Sequence, residues 1–287
     1  MPPVRNSNPS LPKISPRAAR TAQQFHIDWS TITGSGRGGR IRERDILALV
    51  PSTLPAEPQP DAPGVLHPAS GTRRTIAKRM LESVRQTAAV TLTTKVDASE
   101  LATFRERLRS AATDVVPSYN DMLVRLVAGC LADFPQLNVV WHNDGIYVFD
   151  EVNIAVAVNT DAGLMVPVLN NADRLSLSEI SVKTLELAQM ARAGRLRGPQ
   201  LSGGTFTVTN LGAFGIDLFT PIINRPQSAI LGIGRIISEP VIRENEIVAG
   251  KTLSLSLTFD HQVIDGAPAA EWLQQLSARI VAPEPYL

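Results

Sequence analysis

Residues 71–287 are predicted to form an α/β fold, a mixed sheet with helices packed on it, preceded by a small helical unit at residues 14–50. Three features carry this expectation. Strand-like alternating runs such as 253–259 (Leu-Ser-Leu-Ser-Leu-Thr-Phe) recur between helix-like stretches. Residues 119–134 form an apolar helical stretch that suits a core. Six prolines in residues 51–70 set the first fifty residues apart as a semi-rigid linker would.

Along the chain, residues 1–13 are rich in Pro, Asn and Ser and are expected to be disordered. Ser15-Pro16 starts a first short helix over 17–25, with Ser15 as its cap and Pro16 at its first position. Residues 34–40 are a glycine-rich loop. No apolar strand precedes it and no Lys-Ser/Thr follows, so it is expected to be a structural turn and not a phosphate cradle. A second helix covers 44–50. His67, in the linker, is expected to be solvated. Beyond the linker, helices are predicted at 73–85, through Arg109 (capped by Asp97 or Ser99), at 119–134, at 176–193 before Gly194, and at 267–280. Strands are predicted at 89–96, 145–149, 153–158, 205–209, 229–237 and 252–259.

The chain has 287 residues and a net charge of +1, which gives no support for nucleic acid or an acidic membrane as partner. The charge is uneven. Residues 1–50 carry +5 and the remainder −4, so the basic end has the character of a partner-binding segment. No apolar run approaches membrane-spanning length and no apolar signal core is present, so a cytosolic protein is expected. Cys130 is the one cysteine. It lies in an apolar stretch, excludes an intrachain disulfide and is expected to be a buried structural thiol.

The chemistry concentrates in Asp260-His261-Gln262-Val263-Ile264-Asp265-Gly266. A histidine at a strand end can be aimed rigidly into a cleft as a general base, because its pKa lies near working pH. Gly266 is expected to permit a turn that a Cβ would resist. On the residues alone, His261 reads more readily as a strand-end histidine bonded to a nearby carboxylate than as a base.

This segment resembles the DHRxxDG signature of the dihydrolipoyl acyltransferases, the core subunits of 2-oxo acid dehydrogenase complexes, and a related HxxxDG motif occurs in chloramphenicol acetyltransferase. Further resemblances follow in the family's order: residues 72–80 to the opening helix of its catalytic domain, 155–168 to AVDTxxGLxVPV, 203–212 to GGTFTISNLG, and 226–234 to PQxAILGIG. Residues 14–50 resemble the family's peripheral subunit-binding domain through Ile27-Asp28, the glycine loop and Asp45-Ile46. The resemblance implies a chloramphenicol acetyltransferase-like mixed-sheet sandwich that forms homotrimers. The C-terminal Pro283–Leu287 segment resembles tails that join trimers into cages. The small domain grips the decarboxylase or dihydrolipoamide dehydrogenase through basic side chains. Here two of three basic positions in its first helix are Ala19 and Gln23, and His26 stands in place of a glycine.

The resemblance implies that His261 is the base, that Asp265 orients it, and that Thr209 donates to the oxyanion where the family has serine. Thr209 also reads as an ordinary strand threonine, and Asp265 as a turn carboxylate bonded to backbone. Coenzyme A contacts are implied for Asn210, Arg105, Ser118 and Asn159, the last standing where the family generally has aspartate. Arg105 reads alternatively as a solvated helix arginine. Gln262 replaces the signature arginine and removes a charge beside the base. His261 and Thr209 are expected to come from different chains of the trimer. No metal is implied.

No segment of this sequence offers a lipoyl domain. The favoured expectation is therefore a CoA-dependent acyltransferase, acetyl in the first instance, without a lipoyl arm of its own. It would act on a separate acceptor such as a tetronate hydroxyl in natural-product biosynthesis. The alternatives are a dehydrogenase-complex core subunit served by a lipoyl domain in trans, and a non-catalytic docking homologue.

Overall fold

A computed structural model describes residues 12–25, 27–49, 64–111, 115–243 and 245–287. These form two compact units, one up to His67 and one from Pro68 onward. The expected N-terminal tail, except for residues 12 and 13, and the linker over 51–63 lie outside the described residues.

In the first unit, α1 (Pro16–Gln24) begins where Ser15 Oγ accepts from the Ala18 N–H at 3.2 Å. α2 (Glu43–Leu47) follows the glycine loop. Gly34 is required by close approach, since a Cβ there would lie 2.3 Å from the Arg40 carbonyl carbon. Ala18, Ala22, Ile41 and Ile46 form a small core. Asp45 ties the loop to α2: its carboxylate accepts from the Ser35 hydroxyl at 2.6 Å and from the Arg42 and Ser35 N–H groups at 2.9 Å each. These bonds, the Ser35 hydroxyl foremost, lower its pKa from 3.8 to about 2. A lowered folded-state pKa adds stability at pH values above 3.8 that is lost as pH falls through about 2. The Ser35 and Arg42 amide shifts, followed by NMR, should titrate with a midpoint near 2; a midpoint at 3.8 would contradict the loop geometry.

The second unit starts with α3 (Gly71–Gln86), capped by Ser70. β1 (Ala89–Asp97) leads into α4 (Ser99–Ala111), where Asp97 accepts from the Ser99 N–H. α5 (Tyr119–Asp133) carries a capping box of Ser118 and Asp121. Next come the hairpin β2 (Val139–His142) and β3 (Gly145–Val148), then β4 (Ile154–Val156), β5 (Val158–Thr160), β6 (Gly163–Met165) and β7 (Val168–Leu169). α6 (Leu177–Arg192) has the Ser176–Glu179 capping box and ends before Gly194, at φ 64°. β8 (Phe206–Asn210), β9 (Ala229–Arg243), β10 (Glu246–Asp260) and α7 (Gly266–Val281) complete the unit.

The main sheet runs β1-β10-β9-β8-β4-β7. β8 is parallel to both neighbours and the other pairs are antiparallel, so the sheet is mixed as predicted. The odd-numbered face of β10 (Leu253, Leu255, Leu257, Phe259) packs with α5 and α7 in the main core, where the Phe206 and Trp272 rings lie 5.5 Å apart. The even-numbered Ser256 and Thr258 are also buried. The polar side of the alternation is thus covered: a Cβ on Gly232, opposite Ser256, would meet Phe219 and Pro221 of the overlying segment.

Three expectations change. The strand predicted at 153–158 is two, because the chain leaves the main sheet at Ala157 and Val158–Thr160 pairs instead with Gly163–Met165. β9 and β10 extend well beyond their predicted ends as one continuous antiparallel ladder, with Lys95–Glu239 and Arg243–Asp97 ion pairs from β9 to β1 alongside it. Gly266 is not needed for backbone freedom: it is the first residue of α7, and a Cβ there would meet nothing within 4 Å. Cys130 is fully buried, and burial pushes its thiol up to about 12. The C-terminal turn folds on its own chain, with Glu284 paired to Arg107 and Tyr286 under the Arg279 guanidinium. Among the described residues no helix is long and apolar enough to cross a membrane.

Candidate active site

His261 sits where β10 gives way to the turn into α7. The turn is pinned from two sides. The His261 N–H donates to the Ala88 carbonyl, and the Val263 and Ile264 N–H groups donate to the Asp260 carbonyl. The buried Asp260 carboxylate accepts from the Ala88 N–H, the Gln262 N–H and the Gln262 side-chain amide. That amide also donates to the Gln86 carbonyl at 3.0 Å, so Gln262 fastens the end of α3 to the base of the histidine turn. A neutral side chain does this where the family signature has arginine.

The imidazole leans on the buried Phe259 ring at 5.7 Å, and its side chain is 44% exposed. Asp265 Oδ1 lies 3.9 Å from His261 Nδ1, too long for a hydrogen bond. Asp265 makes no capping bond at the start of α7 either. Its influence on His261 within one chain is that of a nearby charge.

The second part of the site is a cavity of about 530 Å³ at the carboxyl end of β8. Four of the residues singled out from the sequence line it: Thr209, Asn210, Ser118 and Asn159. The Thr209 hydroxyl has no hydrogen-bond partner among the described residues. Asn210 Oδ1 accepts from the Gly212 N–H, which leaves its amide donors for a ligand. Gly212 is demanded here, since a Cβ would meet the Gly234 carbonyl oxygen at 2.7 Å. The Ser118 hydroxyl donates to Asp121, whose other oxygen accepts from Thr184. Ser118 therefore shapes the wall with its hydroxyl already engaged. Arg105 does not line the cavity. It donates to the Pro117 carbonyl and stacks over Tyr119, so it holds the segment that carries Ser118.

The two parts do not meet within one chain. Thr209 and Ser256 both lie opposite Gly232, on its two sides. His261 is five positions further along β10, so about 17 Å of strand length separates its level from that of Thr209.

Residues 64–287 match the family model of the 2-oxoacid dehydrogenases acyltransferase catalytic domain. The chain belongs to this family. Residues 12–47 match the e3 binding domain. The dihydrolipoyllysine-residue acetyltransferase component of the acetoin cleaving system of Bacillus subtilis is 38% identical over 94% of this chain and 69% of its own length. Among solved structures, the probable dihydrolipoamide acetyltransferase of Listeria monocytogenes superposes with TM-score 0.72 at 34% identity, over 76% of this chain and 94% of that one. The dihydrolipoamide acetyltransferase of Azotobacter vinelandii does so with TM-score 0.78 at 30% identity, over 81% and 99%. The chain thus spans about two thirds of the length of the first of these relatives and nearly all of the two solved structures.

Within this acyltransferase domain, sequence reasoning missed three groups. The buried Asp121 and the half-buried Thr184 form a polar wall of the cavity, and the Ser118-x-x-Asp121 spacing was the available signal. Arg192, the last residue of α6, reaches the cavity from 17 positions before Thr209 and leaves no motif.

Proposed function

We propose that this chain transfers an acetyl group between coenzyme A and a dihydrolipoyl thiol, with His261 as general base. One observation carries the proposal. In the Azotobacter enzyme, the serine, histidine and asparagine examined for roles in its catalytic mechanism are spaced 52 and 4 residues apart. Thr209, His261 and Asp265 have both spacings. In this chain the same three positions lie at the cavity and at the pinned turn described above.

In the transfer from acetyl-CoA, His261 Nε2 takes the proton of the acceptor thiol as its sulfur attacks the thioester carbonyl. The Asp265 charge near Nδ1 favours the tautomer with its proton on that side. The tetrahedral oxyanion accepts a hydrogen bond from Thr209 Oγ1. Collapse breaks the bond to the CoA sulfur, and the imidazolium returns the proton to the departing thiolate. With about 17 Å of strand between the two levels, base and oxyanion donor act together only when different chains supply them. The homotrimer is the proposed working unit. A larger cage is open to it, as the Azotobacter-like fold also builds the cubic core of a pyruvate dehydrogenase complex. Residues 14–50, with exposed Arg17 and Arg20 on α1, are proposed to dock a dehydrogenase-complex subunit.

The acceptor thereby differs from the tetronate hydroxyl that the sequence favoured. The relatives are named as dihydrolipoyllysine-residue acetyltransferase components, which supports the dihydrolipoyl acceptor over the tetronate. Chromatographic separation of CoA from acetyl-CoA decides between the two. Acetyl-CoA is offered with dihydrolipoamide or, separately, with a hydroxylated tetronate. Turnover with dihydrolipoamide is expected; turnover with the tetronate alone would overturn the proposal.

A further inference from the structure

Arg192 is the single cationic residue among the described residues that line the cavity containing Thr209. The single anionic one, Asp121, is already saturated. Its oxygens accept from the Ser118 N–H and hydroxyl and from the Thr184 hydroxyl. Asp121 therefore offers Arg192 no free carboxylate, and no other carboxylate among the described residues lies within ion-pairing distance of it. The side chain is exposed at the end of α6, where the helix stops before Gly194. Much of the remaining lining is apolar, including Leu164, Leu185, Ala188 and Phe214.

The lining offers three chemically different kinds of group. Thr209 and Asn210 offer hydrogen bonds to a reacting carbonyl. The apolar side chains suit a flexible pantetheine arm. An unpaired guanidinium suits phosphate oxygens, which it can grip with two parallel N–H bonds. Acyl-CoA carries partners for all three, a thioester, a pantetheine arm and phosphates.

Resting on the CoA-dependent function above, we propose that Arg192 is a phosphate-recognition residue of the coenzyme A site. It reads the nucleotide end of the substrate and takes no part in the proton transfer. A purely structural alternative exists, because a cation at a helix C-terminus also stabilises the helix dipole.

The test compares a phosphate-bearing donor with one that lacks phosphate. Wild type and Arg192→Ala, each as the full chain, are assayed with acetyl-CoA and with S-acetylpantetheine, with dihydrolipoamide as acceptor. Calorimetry measures free CoA and 3′-dephospho-CoA binding to both proteins. For Arg192→Ala we expect KM for acetyl-CoA and Kd for CoA to rise about 10- to 100-fold, with kcat unchanged. The kinetics of S-acetylpantetheine should not move, and Arg192→Lys should recover part of the CoA affinity. A 3′-dephospho-CoA affinity that Arg192→Ala leaves unchanged would assign the contact to the 3′-phosphate; an equal loss would assign it to the pyrophosphate. Equal damage with both acetyl donors would mean a structural role and overturn the proposal, as would unchanged CoA binding. Absence of wild-type transfer from acetyl-CoA to dihydrolipoamide would instead defeat the underlying function, while the calorimetry still tests Arg192.

Discussion

His261→Ala is expected to lower kcat for acetyl transfer from acetyl-CoA to dihydrolipoamide about 1,000-fold, the middle of the range for loss of a positioned acid–base group. KM for acetyl-CoA should change little, because the groups proposed to hold the donor, at the Thr209 cavity, do not include the imidazole. The fold should survive. The side chain is 44% exposed and the turn is held by backbone bonds and by Asp260, not by the imidazole. Steady-state kinetics beside a thermal melt check this. A loss below tenfold with an unchanged melt would remove His261 from the role of base.

Thr209→Val should lower kcat about 100- to 1,000-fold, the usual effect of deleting one oxyanion donor. Valine keeps the branched shape and removes the hydroxyl, so the strand packing against β4 and β9 persists. Thr209→Ser should retain most activity, since it keeps the donor with a freer rotamer. If Thr209→Val instead raised KM and spared kcat, the hydroxyl would serve binding and not the oxyanion. The two variants fail at different points of one step, so neither should respond to higher acetyl-CoA concentration.

Much of the fold is legible in particular residues. Ser15-Pro16 and the Ser176–Glu179 box mark their helix starts because capping chemistry is local. The Leu-Ser alternation of 253–257 marks β10. It does not reveal that the serine side is buried too, because the cover comes from residues 219–227, remote in sequence. The far ends of β9 and β10 carry charges and Pro240, which hide a strand pair whose backbone ladder runs on to Arg243 and Glu246. Of the β2–β3 hairpin only the second strand is legible, since Val139 comes soon after an apolar helix that ends at Asp133 and the hairpin's turn, Asn143-Asp144, lacks the usual Asn-Gly sequence.

The site divides the same way. Motif resemblance found Thr209, Asn210, Ser118 and Asn159, which fall together at one cavity, and His261 with Asp265 at the other end of the sheet. It also picked out Arg105, which lies outside that cavity and is held by the approach of α4 to residues 117–119. It gave no sign of Arg192, because a helix-terminal arginine has no signature until its surroundings are known.

The central claim is that His261 and Thr209 act together from different chains. Mixing His261→Ala with Thr209→Val, unfolding them together and reassembling them tests it directly. Each inactive parent supplies what the other lacks. Random trimers should regain roughly a quarter of wild-type kcat, the fraction of interfaces that pair an intact His261 with an intact Thr209 on a neighbouring subunit. A mixture no more active than its two parents, with reassembly into mixed trimers verified, would place the whole reaction within one chain and contradict the account.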